Sequence, residues 1–120
     1  EQYAAASEQR AAFNEQFNSI FDGIDALVCP AGGMTFSLEP DVQYGGKEAL
    51  EPLFQAVQMY FTIPADFAGT PALTVPCGFS DEGVPYGLQF MGPRLSESTL
   101  IRIGHAYEAA TRWHQRHPEV

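Results

Sequence analysis

The sequence is poor in basic residues: six lysines and arginines stand against fifteen aspartates and glutamates, and the formal net charge is −9. Such a chain repels phosphate backbones and anionic membranes, so we expect neither nucleic acid nor membrane as a partner. It also lacks an apolar run of membrane-spanning length. The alanine-rich opening carries Glu1, Glu8 and Arg10, unlike the apolar core of a signal peptide. These absences predict a soluble, cytoplasmic protein.

Cysteine is scarce as well. Cys29 and Cys77 are the two cysteines of the sequence, too few for a secreted disulfide framework, and their spacing does not resemble that of a zinc site. We therefore predict two reduced, buried thiols, with no metal and no other cofactor.

Hydrophobic periodicity divides the 120 residues into helices and strands. The predicted elements are, in order, a helix at 3–21, a strand at 24–30, an irregular loop at 31–48, a helix at 49–61 closed by Pro64, two strands at 71–79 and 85–92 around a turn at 80–83, and a helix from Ser96 to about His114. This order indicates an α/β fold, a single domain with a mixed β-sheet flanked by helices. The nearly continuous apolar character of the first strand predicts burial on both faces, so we expect these strands to belong to a larger sheet.

The turn segment "GFSDEG" (78–83) is a candidate for a serine nucleophile. A nucleophile elbow requires G-x-S-x-G between a strand and a helix, whereas Ser80 stands in G-x-S-x-x-G within a predicted hairpin. We therefore interpret Ser80 as a turn residue. Asp81 and Glu82 beside it are interpreted as solvated turn carboxylates rather than as general acids.

Cys77 is a second candidate nucleophile. Its thiol would need a base or a positively charged neighbour to form a thiolate. The three histidines, His105, His114 and His117, lie on or just after the last predicted helix, and no motif places one beside Cys77. Capping of the helix end explains His114 and His117 better than metal binding does. We predict no catalytic residue in this chain.

A long pattern of glycines and prolines resembles the C-terminal end of the amidase signature family. The stretch from 61 to the end of the chain matches T-x-P, A-G-x-P-A-x-x-V-P-x-G and G-x-P-x-G-L-Q-x-x-G at these positions: Thr62, Pro64, Asp66, Ala68, Gly69, Pro71, Ala72, Val75, Pro76, Gly78, Gly83, Pro85, Gly87, Leu88, Gln89 and Gly92. The earlier "FDGIDALVCPA" (21–31) is similar to a helix-to-strand passage of the same family. Nearly the whole chain is covered, least well at 31–48. The matching residues set backbone shape, so they identify a fold rather than a reaction.

The resemblance implies hydrolysis of carboxylic amides by a serine nucleophile, a bridging serine and a lysine, with backbone N–H groups around the oxyanion. In the family all of these lie upstream of the matched segment. This sequence has no "GGSSGG"-like run, its one lysine is Lys47, and it starts at Glu1 without a methionine. We therefore expect residues 1–120 to be a single C-terminal fragment of an amidase domain whose catalytic core is absent.

The resemblance also implies a substrate pocket. In the family, the passage before A-G-x-P borders the site for the acyl side of the amide, which makes Met59, Thr62, Ile63 and Asp66 the candidate substrate-binding residues. The alternative is that Met59 and Ile63, four residues apart, simply face a core. The glutamine-dependent amidotransferases of the family carry an acidic residue where Met59 stands. A thioether cannot pair with an ammonium, so an uncharged small-molecule amide is the better expectation.

Two other functions stay open at the level of sequence. The chain can be a non-catalytic module derived from an amidase, which binds a partner or forms a homo-oligomer through exposed sheet edges. A hydrolase that uses Cys77 is the least favoured alternative.

Overall fold

The computed structural model describes residues 1–32 and 60–117. The elements in this part of the chain are α1 (Gln2–Ser19), β1 (Leu27–Pro30), α2 (Ile63–Ala68), β2 (Ala72–Phe79), β3 (Pro85–Met91), α3 (Glu97–Ala110) and a 3₁₀ turn (Trp113–Gln115). The predicted loop at 31–48 lies outside the described residues from 33 onward. So does the predicted helix at 49–61 up to residue 59, and with it the candidate Met59.

The three strands form one sheet in the order β1-β3-β2. Central β3 pairs antiparallel with both neighbours, so that Met91 lies opposite Leu27 on one side and opposite Ala72 on the other. The predicted α/β fold is confirmed. Every pairing among the described strands is antiparallel, so a parallel part of the predicted mixed sheet is not among them.

The side chains of β3 alternate between two apolar clusters, as the pleat of a strand requires. On one face Met91 packs with a first cluster from α1, the turn after it and α2: Phe17, Phe21, Ala65 and Ala68. On the other face Phe90 packs with Val75 of β2 and Leu100 of α3 in a second cluster. The sheet is therefore layered between α1 and α2 on one side and α3 on the other.

The predicted hairpin joins β2 to β3 and is confirmed by their antiparallel register. The N–H of Ser80 donates to the carbonyl of Val84 at 2.8 Å, and the N–H of Gly83 donates to the carbonyl of Ser80 at 3.0 Å. Gly83 has a φ of +87°, a conformation that costs glycine little and other residues more. This glycine closes the turn.

The predicted burial of the first strand on both faces is wrong: β1 is partly exposed, and the central strand β3 is the one buried on both faces. Gln89, Phe90 and Met91 are consecutive and all buried, whereas Val28 in β1 is 51% exposed. The reason is position: β1 is an edge strand, and α3 packs against β2 at the opposite edge. Apolar composition alone does not distinguish an edge strand from a central one.

Two helix boundaries differ from the sequence prediction. Pro64 does not close a helix but lies in the first turn of α2, where a missing N–H removes no helical hydrogen bond. At the other end of the described chain, α3 stops at Ala110 instead of about His114 because Thr111 is extended. The chain then brings Trp113 and the guanidinium of Arg116 against the ring of Phe79.

Within 1–32 and 60–117, no helix has the length and apolar character needed to cross a membrane.

Candidate substrate-pocket segment

The candidate site is a short segment in which α2 leads from Thr62 to Gly69. The N–H of Asp66 donates to the Thr62 carbonyl at 3.2 Å and opens the helix. Gly69 ends it in the left-handed conformation, with φ of +67°, and its N–H donates to the Ala65 carbonyl at 2.8 Å. Both ends of α2 are thus fixed by local backbone chemistry.

The candidate residues Thr62, Ile63 and Asp66 come together around the first turn of α2. Ala65 and Ala68 are buried in the first cluster at 4% and 2% exposure, whereas Ile63 is 55% exposed. Asp66 is also exposed, and Thr62 is half-buried. Ile63 therefore belongs to neither apolar cluster of the described chain. A substrate-binding role for these three residues stays a prediction, as does the role of Met59.

Gln89 contacts this segment from the sheet, although sequence reasoning treated it as a shape residue. It is 6% exposed in central β3, and its side-chain Nε2 donates to the carbonyl of Phe61 at 2.7 Å. The same nitrogen lies 3.7 Å from the sulfur of Cys29 on β1. The signal in the sequence is a lone amide within the apolar strand "GLQFM", because a buried amide requires a partner.

Arg10 of α1 also contacts α2, at Phe67. Its Nε donates to the carbonyl of Phe67 at 2.8 Å, and its guanidinium lies 5.7 Å from the centre of the Phe67 ring. A groove of about 390 Å³ runs beside this contact. Its lining comes from α1, the end of α2 and the loop before α3: Ser7, Arg10, Ala11, Asn14, Ala68, Gly69 and Arg94.

Cys77 and Ser80, the two candidate nucleophiles rejected from the sequence, both lie in the β2–β3 hairpin. Cys77 is the additional residue of a β-bulge between Pro76 and Gly78, and it lies near Tyr107. Burial, and to a smaller extent this cysteine, raise the pKa of Tyr107. The hydroxyl of Ser80 accepts from the N–H of Val84 at 3.1 Å and so supports the hairpin turn.

No catalytic pairing is present among the residues that the structure describes. Neither Cys77 nor Ser80 is joined to a histidine by a hydrogen bond there. The same residues contain no group of three or more His, Cys, Asp or Glu side chains that could hold a metal ion. The segment can line a pocket and position a substrate. Within the described residues it provides no nucleophile paired with a base.

Comparison with known proteins identifies the family. A family model described as Amidase matches residues 1–101, and this chain belongs to that family. Two similar relatives, one from Nostoc punctiforme and one from Cyanothece sp., are both named as subunits of glutamyl-tRNA(Gln) amidotransferase. The Nostoc protein is 38% identical and the Cyanothece protein 36% identical, each over 118 residues. Each alignment covers 98% of this chain and 23% of the relative, so the chain spans about a quarter of the length of these relatives.

Solved structures agree with this fold. The chain superposes on a 6-aminohexanoate cyclic dimer hydrolase with a TM-score of 0.77 and 22% identity. The superposition covers 98% of this chain and 26% of the hydrolase. It also superposes with the corresponding glutamyl-tRNA(Gln) amidotransferase protein of Thermotoga maritima, with a TM-score of 0.62 and 28% identity, over 92% of this chain and 23% of that one. The family resemblance and the fold inferred from the sequence are both confirmed.

Proposed function

We propose that this chain is the C-terminal, pocket-bordering part of an amidase that hydrolyses carboxylic amides to an acid and ammonia or an amine. The observation that carries the proposal is the exposed first turn of α2 in a chain of the Amidase family. Ile63 and Asp66 project from a helix that is anchored through Ala65 and Ala68, and the half-buried Thr62 directly precedes it. A rigid element with an exposed, partly apolar turn is suited to lining a pocket.

The reaction itself is assigned to residues outside this chain. A serine, activated through a second serine and a lysine, attacks the amide carbon, and backbone N–H groups stabilise the oxyanion. The lack of a nucleophile–base pair within 1–32 and 60–117 supports this division, as does the single lysine of the sequence. The contribution of the present residues is to bind the acyl side and to shape the wall around it.

The substrate class is proposed from Met59. Its thioether stands at the position where the family's glutamine-dependent amidotransferases carry a carboxylate, so an ammonium bound there would be unpaired. The protein is therefore proposed to prefer an uncharged amide over glutamine, although two relatives are named as parts of an amidotransferase. A cytoplasmic location and a homo-oligomeric state belong to the same proposal.

Ammonia release by the full-length product of the gene tests the proposal. The panel comprises aliphatic and aromatic primary amides together with glutamine. Faster turnover of uncharged amides than of glutamine is the expected result, with Ile63→Ala weakening the binding of amides that have long acyl chains. The Ile101→Ala protein is a matched control, since Ile101 is likewise exposed, at 63%, but lies on α3 away from the segment. A preference for glutamine would exclude the proposed substrate class.

An interaction module is the second candidate, and one observation favours it. Large apolar side chains are exposed in the described chain, among them Tyr60 at 68%, Val28 at 51% and Leu95 at 87%. Exposed apolar groups promote association. Sedimentation of the 120-residue chain at increasing concentration tests this candidate, since a monomer at every concentration would argue against self-association.

A further inference from the structure

We propose that Gln89 is a positioning residue for the substrate pocket. Its side-chain amide holds the carbonyl of Phe61 and thereby sets the place at which Thr62 and Ile63 enter α2. This inference rests on the proposed function, because it assumes that the first turn of α2 borders the substrate.

The position of Gln89 makes the contact a fixed one. Gln89 lies in central β3, with Cys29 opposite it on β1 and Thr74 opposite it on β2. A side chain on the central strand that is only 6% exposed has little freedom to leave its place. Its bond to Phe61 is short, at 2.7 Å, and joins residues 28 positions apart in the sequence. The hydrogen bond thus joins the sheet to Phe61, directly before the candidate residues Thr62 and Ile63.

Other contacts hold the body of α2, so the bond from Gln89 fixes only the backbone that leads into the helix. Ala65 and Ala68 pack on Phe17 and Phe21, which secures the body and the far end of the helix. The approach to the helix at Phe61 is held by Gln89. Without this donor, the backbone before Thr62 can shift while the helix remains packed.

The charge of the side chain provides a specific test. Gln89→Leu removes the donor and leaves a carbonyl unpaired, whereas Gln89→Glu retains the shape. An ionised carboxylate cannot donate and repels the Phe61 oxygen, but a protonated carboxyl can donate to it. The Glu variant should therefore keep the segment in place at low pH and release it as the carboxyl ionises. Cys29→Ala is the matched control, because it alters the neighbouring side chain and leaves the bond to Phe61 intact.

Two measurements on the full-length product test the inference. In hydrogen–deuterium exchange, Gln89→Leu should accelerate exchange across residues 61–66, because a shift at Phe61 also loosens the bond from the N–H of Asp66 to the Thr62 carbonyl. The packed end of α2, α1 and α3 should be unchanged, and Cys29→Ala should match the wild type. In amide hydrolysis, Gln89→Leu should raise KM about tenfold for long acyl chains with kcat changed less than about threefold, since pocket contacts bind substrate and transition state alike. Gln89→Glu should show a rise in KM with pH that the wild type and the Leu variant lack.

The outcomes separate the two proposals. Unchanged exchange at 61–66 in both Gln89 variants would overturn the positioning role, whatever the activity. An equal loss for short and long acyl chains, with no pH step in the Glu variant, would overturn it too. A wild-type enzyme that hydrolyses no amide would refute the proposed function, and the exchange measurement would still decide whether Gln89 holds the segment.

Discussion

Gly104 of α3 lies so close to Leu73 of β2 that a Cβ on the glycine would overlap the Cδ2 atom of the leucine. Cδ2 is the movable end of a flexible side chain, so Leu73 can shift to admit the methyl group at a cost near the lower end of the roughly 1–3 kcal/mol typical of overpacking. Because the better helix propensity of alanine returns about 1 kcal/mol, we predict that Gly104→Ala lowers the free energy of unfolding by at most about 1 kcal/mol. Thermal denaturation of the full-length product measures the change. In a Leu73→Ala background the same substitution should become neutral or stabilising, and an undiminished loss would contradict this packing.

Arg10 ties α1 to α2 through the Phe67 carbonyl. Replacing it with methionine keeps an apolar stem but removes the donor and the contact of the cation with the ring. The expected loss of stability is about 1 kcal/mol, the size of one net hydrogen bond. Gln9→Met, at the neighbouring exposed position on α1, is the control and should change little. Equal melting temperatures for the two variants would show that the contact does not stabilise the helix pair.

Gly83 is required by the hairpin turn. With φ at +87°, an alanine at this position is strained by roughly 1–2 kcal/mol, whereas asparagine tolerates the left-handed region better. Denaturation curves should therefore rank Gly83→Ala below Gly83→Asn and both below the wild type. Gly32→Ala serves as the control, since a Cβ there meets nothing within 4 Å. A Gly83→Ala protein as stable as the control would be inconsistent with this turn.

Cys29 should be a slow nucleophile. Burial raises the pKa of its thiol above the ordinary 9.0, and the hydrogen bond from Gln89 lowers it to a smaller extent. The folded protein therefore holds this proton to higher pH than the unfolded chain does. The associated stability is complete below about pH 9 and is lost as the pH rises through the folded pKa. Iodoacetamide labelling followed by peptide mass spectrometry should show Cys29 reacting more slowly than a free thiol at pH 8. Labelling at the free-thiol rate, with an inflection at or below pH 9, would contradict the burial.

The sequence predicts the hairpin and α3 well because their signals are local. Alternating apolar residues and a glycine turn define β2 and β3, and Ser96 with Glu97 marks the start of α3. Boundaries that depend on tertiary contacts are predicted less well. The end of α3 is one case, since Trp113 packs on Phe79 in β2.

In the candidate segment, too, local features could be predicted from the sequence and tertiary contacts could not. Its residues can be named by resemblance, but α2 was missed because Pro64 can either end a helix or occupy its first turn. The bond between Gln89 and Phe61 spans two elements distant in the sequence, so no local pattern reveals it. Only the burial of a lone amide in an apolar strand hints at the contact.

We propose that this chain shapes the pocket of an amidase whose nucleophile lies outside residues 1–120. The most direct measurement is to react the full-length product with an alkyl fluorophosphonate, which modifies activated serines, and to map the labelled residue by peptide mass spectrometry. We expect loss of amide hydrolysis together with one labelled serine outside this chain. Label on Ser80, or inactivation that follows modification of Cys77, would place the chemistry within the chain and refute this assignment of the nucleophile.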